Sequence, residues 1–185
     1  GTDITNEQQQ AELIKADRNR FESIIDSTGV GTWAWNLQTG ISQLNPRWAQ
    51  MLGYTLSELE PMTYQTWLSL VHPDDLSGTE QQLQAHFRGE QPYYDSIYRM
   101  RHRQGHWIWI HAKGQVKQWA EDGSPLLMYG INTDITDSFQ AEKELAQTKA
   151  LLQAVIDSST EAALIATNLE GEIWLFNTGA ERMLG

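Results

Sequence analysis

The chain of 185 residues contains no cysteine. That excludes disulfides, thiolate metal sites, a cysteine nucleophile and any cysteinyl adduct to a cofactor. It also suits a reducing compartment, and a cytoplasmic location is the expectation. Basic residues are few: 13 Lys and Arg stand against 24 Asp and Glu, for a formal net charge of −11. Such a chain repels phosphate backbones, so no nucleic-acid partner is expected. No apolar run approaches the roughly 20 residues needed to span a bilayer, and no signal peptide opens the chain. What the chain does have is tryptophan, eight in all, within a globular composition that is 40% hydrophobic and 20% charged.

Enzyme signatures are missing as well. There is no Gly-rich phosphate loop ending in Lys-Ser/Thr, no G-x-S-x-G and no H-E-x-x-H. Gly29-Val30-Gly31 lacks a third glycine and enters a strand, so it is no dinucleotide fingerprint. His72, Asp74 and Asp75 could be drawn as a metal or acid–base cluster. Helix-start chemistry explains them without one: Pro73 suits a first turn, and the two Asp face the positive end of the dipole. His102 and His106 flank a hairpin turn and could meet across it, where a solvated turn is the simpler reading. No catalytic residue and no metal site is expected.

The elements follow from periodicity. Ala11, Ile14, Arg18, Phe21 and Ile25 step by three and four through a helix over 6–27, and Gly1-Thr2 reads as a frayed or appended start. Strands over 30–37 and 41–44 flank the turn at Gln38-Thr39-Gly40. Asn45-Pro46 opens a helix to Leu52, Thr55 to Glu58 has capping-box spacing, and a short helix covers 64–70. A longer helix runs from His72-Pro73 to about Phe87. Three strands follow, over 94–101, 107–119 and 126–135, with turns at Gly105 and Gly123. The helix over 137–157 places Ala141, Leu145, Thr148, Leu152 and Val155 on a coiled-coil seam. Strands at both ends with helices between predict an α+β domain with an antiparallel sheet.

Part of this order repeats. Ile25-Asp26-Ser27, Gly40, Asn45 and Met51-Leu52-Gly53 recur as Ile156-Asp157-Ser158, Gly171, Asn177 and Met183-Leu184-Gly185. The offset is 131 residues at first and 132 later. A period this long indicates tandem domains, with the second copy expected to be cut after about a quarter of its length. A fragment of a longer protein is therefore expected. The stub over 159–185 is too short to bury a core and should be mobile or add a strand to another chain.

Alternation in the long strand separates its faces. Ile108, Ile110, Ala112, Gly114 and Val116 share one face, expected to form the core. Trp107, Trp109, His111 and Lys113 share the other, and each Trp there could bury roughly 150–250 Å². Either the 6–27 helix or a second chain should cover them. Trp33 and Trp35 likewise share one face of the first strand.

Seven motifs in this order resemble a PAS domain with its C-terminal PAC half, of a subclass common in bacterial signalling proteins. They are Gly31-Thr32-Trp33-Ala34-Trp35-Asn36, Asn45-Pro46, Met51-Leu52-Gly53-Tyr54, Val71-His72-Pro73-Asp74-Asp75, Tyr98-Arg99-Met100-Arg101, Gly105-His106-Trp107-Ile108-Trp109-Ile110 and Gly130-Ile131-Asn132-Thr133-Asp134-Ile135-Thr136. The resemblance covers about 22–137 and resumes near 154. It implies a five-stranded antiparallel sheet with short helices on one face, flanked here by N- and C-terminal amphipathic helices. The corresponding division is a flanking helix over 1–29, a PAS/PAC sensor domain over 30–137, a signalling-helix linker over 138–158 and the start of a second PAS domain over 159–185.

The resemblance further implies a non-catalytic sensory and relay module, with a diguanylate cyclase, phosphodiesterase or histidine kinase as output in the same chain. A cavity between sheet and helices would be lined by Trp48, Met51, Leu52, Trp67, Tyr98, Ile108, Ile110 and Met128, either holding a small ligand or filled by these side chains. Asp134 and Thr136, with Trp35 and Trp109 as sheet-to-helix contacts, would pass the signal to the C-terminal helix. A homodimer through the flanking helices is expected. Two alternatives stand beside this reading: a ligand-free dimerisation or protein-interaction scaffold, and a redox sensor holding haem through His86 or a non-covalent flavin. No cofactor is expected, since His86 near a helix C-terminus needs none to explain it.

Overall fold

The computed structural model describes residues 2–158 and 164–184, and the chain divides into two compact units, 1–136 and 137–185. The boundary expected at residue 159 falls outside the described residues. In the first unit, helix α1 (Thr2–Thr28) leads into strands β1 (Gly31–Asn36) and β2 (Ile41–Leu44). Helices α2 (Pro46–Met51) and α3 (Leu56–Leu59), strand β3 (Met62–Thr63), and helices α4 (Tyr64–Leu70) and α5 (Pro73–Phe87) follow. Strands β4 (Tyr94–Arg101), β5 (Trp107–Trp119) and β6 (Pro125–Asp134) complete it. Helix α6 (Thr136–Ser158) starts at the last residue of the first unit, and its remainder, strands β7 (Ile165–Thr167) and β8 (Ile173–Phe176), and helix α7 (Thr178–Leu184) make up the second.

The first unit's sheet has the order β3-β2-β1-β6-β5-β4, antiparallel throughout. It has six strands where five were expected. The sixth is the two-residue pairing of Met62 and Thr63 with Ser42 and Ile41, a non-local contact too short to leave a period in the sequence. The helices begin where local chemistry dictates. Asn45 caps α2 by accepting the Trp48 N–H, with Pro46 in the first turn. Thr55 and Glu58 form the capping box of α3, and the His72 side chain accepts the Asp74 N–H at the start of α5.

Trp48, Leu52, Tyr98, Met100, Ile108, Ile110 and Met128 lie at the centre of the core. Trp33 is admitted against the sheet by two glycines, Gly130 paired with it on β6 and Gly114 beyond that on β5. A Cβ on Gly114 or Gly130 would collide with its indole, and one on Gly130 would also strike the Lys113 carbonyl. This sends Trp33 and Trp35 to the core face, whereas Trp107 and Trp109 lie on the opposite face.

α1 does not cover that outer face. It is exposed from residue 4 to residue 24, with Ile14, Phe21 and Ile24 all more than half exposed. The outer tryptophans have local contacts only: the His72 ring packs 4.4 Å from Trp107, which stays 38% exposed, and the Arg99 guanidinium lies 5.2 Å over Trp109. Among the described residues, no helix is long and apolar enough to cross a membrane.

Candidate functional site

The curled sheet and helices α2, α4 and α5 enclose a small cavity. About 70 Å³ of it can be reached by the centre of a water molecule, well below the ~300–1,000 Å³ of a drug-sized site. Of the expected lining residues, Trp48, Trp67, Tyr98 and Met128 border it. Met51, Leu52, Ile108 and Ile110 do not; they are packed into the core beside it. Sequence reading missed Trp33, Trp35, Leu44, Met62, Tyr64 and Tyr94, which also line it. The signal for the two tryptophans was present in Gly114 and Gly130, since a glycine inside a strand marks a close approach.

The walls form a continuous aromatic series. Trp35 stacks on Tyr64 at 5.4 Å, Tyr64 on Trp67 at 5.5 Å, and Trp67 meets Tyr98 edge-on at 5.7 Å. The polar groups pair with one another. Asn132 Oδ1 accepts Trp33 Nε1–H at 2.9 Å, Tyr98 Oη accepts Trp67 Nε1–H at 3.3 Å, and Tyr64 donates to Glu80 at 2.7 Å. Burial raises the Tyr94 and Tyr98 hydroxyls above their ordinary value, so both stay protonated. Trp35 Nε1 differs: it is buried without a hydrogen-bond partner. An acceptor brought into the cavity could satisfy it.

The second constellation lies where β6 ends. Asp134 Oδ1 accepts both the N–H and the hydroxyl of Thr136, at 2.9 and 2.6 Å. Thr136 Oγ1 in turn accepts the Trp109 N–H at 2.9 Å, and the Ile135 N–H donates to the Trp109 carbonyl at 2.9 Å. The first residue of α6, Thr136, is thereby hydrogen-bonded to the long strand β5. Trp109 also carries the Arg99 guanidinium, whose two nitrogens clasp Asp75 at 2.8 and 2.7 Å. Hydrogen bonds from Arg99 hold the Asp75 carboxyl below the usual carboxylate value. Asp75 sits in the first turn of α5, so α5, β4, β5 and Thr136 are linked in series. Trp35 stands apart from this series, among α4 and α5 at Tyr64 and Phe87.

His86 is 4% exposed and bridges two segments. Its Nε2 accepts the Val116 N–H at 3.0 Å, so its Nδ1 carries the hydrogen donated to the Gln91 carbonyl at 2.9 Å. Both ring nitrogens are thus engaged within the fold. His102 and His106 do meet across their turn, stacked at 4.3 Å. Among the described residues, no group of three His, Asp or Glu side chains is gathered to hold a metal ion.

Comparison with known proteins bears on the family of the fold. A family model described as a PAS fold matches residues 41–132, and one described as a PAS domain matches residues 150–185. The solved structure of a sensory box histidine kinase/response regulator from Burkholderia thailandensis aligns with a TM-score of 0.64 at 32% identity, covering 73% of this chain and 98% of that one. The sensor protein FixL of Bradyrhizobium diazoefficiens is 28% identical over 167 residues, 89% of this chain and 32% of its own length. The probable diguanylate cyclase DgcE of Escherichia coli is 24% identical over 182 residues, 97% of this chain and 16% of its own. The chain thus spans a third or less of these curated relatives.

Proposed function

The chain belongs to the PAS family, and from that premise we propose that it is a non-catalytic sensory and relay module of a larger cytoplasmic signalling protein. Its output domain would be a diguanylate cyclase, a phosphodiesterase or a histidine kinase; two of the relatives above carry the names of a sensor protein and a diguanylate cyclase. The observation that carries the reading is the junction of Asp134, Thr136 and Trp109. A change at the cavity or on the sheet shifts β5, and the hydrogen bond from Trp109 to Thr136 transmits that shift to the first turn of α6. A seam of Leu145, Leu152 and Val155, all more than half exposed, then alters its packing against the same helix of a second copy.

Replacing Asp134 with Ala tests this in the parent protein. Output should change severalfold while the domain's melting temperature moves by no more than about 5 °C. Unchanged output in a folded variant would sink the relay reading.

A ligand-free scaffold is the second reading, favoured by the small cavity and its mutually paired polar groups. The unpartnered Trp35 Nε1 favours instead a compact, largely apolar ligand that presents one hydrogen-bond acceptor. Native mass spectrometry of the purified domain separates the two by the presence or absence of added mass.

A further inference from the structure

Helices α1 and α6 are the same element in successive copies of the repeat. Thr2-Asp3-Ile4-Thr5 recurs as Thr133-Asp134-Ile135-Thr136, four consecutive identities. Their offset of 131 residues equals the offset between Ile25-Asp26-Ser27 and Ile156-Asp157-Ser158 at the far ends of the two helices. The segments therefore have one length, with no insertion. Their apolar positions coincide too: Ile14 with Leu145, Phe21 with Leu152 and Ile24 with Val155. Paired residues are exposed to nearly the same degree, 69 and 70%, 58 and 59%, 52 and 53%.

An asparagine of the next copy bonds near the far end of each helix, at different positions: Val30 lies two residues beyond α1, and Ile156 lies within the last turn of α6. After α1, Asn45 Nδ2 donates to the Val30 carbonyl at 3.2 Å, and Arg47 Nε donates to the Gly29 carbonyl at 3.0 Å. After α6, Asn177 Nδ2 donates to the Ile156 carbonyl at 3.3 Å.

The starts differ for a physical reason. Thr133 and Asp134 are strand, and β5 lies beside this motif, bonding Ile135 and Thr136 through Trp109. Residues 2–5 have no such strand beside them among the described residues, and they continue the helix.

We infer that Thr2–Thr5 is the end of the last strand of a further core of this type, and that α1 is that core's output helix. α1 then delivers the state of an upstream core to residues 30–137, as α6 carries theirs onward. The partner that fits residues 2–5 is a strand equivalent to β5, with Thr5 accepting a backbone N–H from it as Thr136 does. The part of this that concerns signalling rests on the relay reading of α6; the equivalence of the helices does not.

The test exchanges the helices within the intact chain, putting residues 6–27 in place of residues 137–158, a segment of equal length. Hydrogen exchange is read at the Trp109 and Ile135 amides. Equivalence predicts rates within tenfold of the unaltered chain. A control carries residues 137–158 in shuffled order and should exchange more than tenfold faster at both amides. Faster exchange in the swap, including through failure to fold, overturns the inference. So does a control as protected as the swap, because the likeness would then be generic. Neither result depends on the output measured with Asp134→Ala, so the two readings fail separately.

Discussion

The two copies of the repeat share a local device and differ in what encloses it. In the first, Asn45 Oδ1 accepts the Thr32 and Trp48 N–H groups, and Asn36 Oδ1 accepts those of Gln38 and Thr39 in the hairpin turn. In the second, Asn177 Oδ1 accepts the Leu164 and Ala180 N–H groups, and Asn168 Oδ1 accepts those of Glu170 and Glu172. The positive φ of Gly40 recurs at Gly171. Around the first hairpin, β5, β6, α4 and α5 bury Trp48 and Met128. Around the second, Leu169, Ile173, Met183 and Leu184 stay exposed. The comparison teaches that the hairpin and its asparagine clamp are written locally, whereas the core depends on strands some 60–100 residues downstream of the hairpin.

The largest effect should come from Gly130→Ala, which attacks only the enclosed copy. The new methyl meets the Trp33 ring and the Lys113 carbonyl, and a backbone atom cannot yield as a flexible side chain does. Denaturant unfolding should show a loss of about 3 kcal/mol or more. A smaller loss would mean that Trp33 can leave its groove without cost.

Asp75→Asn removes the charged clasp between α5 and β4, and about 2 kcal/mol is expected at neutral pH. The sign of its pH dependence comes from the lowered carboxyl of Asp75. Its stabilisation is complete above the ordinary carboxylate value and is lost as pH falls through the depressed folded-state value. The gap in stability between variant and parent should therefore close in acid. A gap independent of pH would assign the loss to packing.

The matched pair Asn45→Ala and Asn177→Ala tests the comparison most finely. The first should cost about 1–2 kcal/mol of core stability, the second close to nothing. Removal of residues 159–185 should likewise leave the core's melting nearly unchanged. Equal losses at the two asparagines would show that the second copy contributes to the stability of the first.

Much of the fold was legible because its signals are local. Asn45-Pro46, the Thr55 to Glu58 box, His72-Pro73 and the turn glycines each announce an element within four residues. The cavity was only half legible. Alternation separates two faces of a strand but does not say which is inside, and the register of Trp33 against Gly130 and of Gly114 against Gly130 decides it. The outer face misled in the same way. Its two tryptophans were expected to be covered by the first helix or by a second chain; α1 does not cover them, and their contacts come from Arg99 of the neighbouring strand and from His72. The β3 edge strand, two residues paired to β2, left no periodic trace at all.

The central claim is that Thr136, the first residue of α6, is tied to the long strand β5. Hydrogen exchange at the Trp109 amide in the isosteric Thr136→Val variant tests it most directly, because valine removes the acceptor and keeps the shape. At least tenfold faster exchange at that amide, in a domain whose melting temperature falls by no more than about 5 °C, is the predicted result. Exchange at the rate of the unaltered chain would contradict the claim, since the strand and the helix would then be coupled by something other than this hydrogen bond.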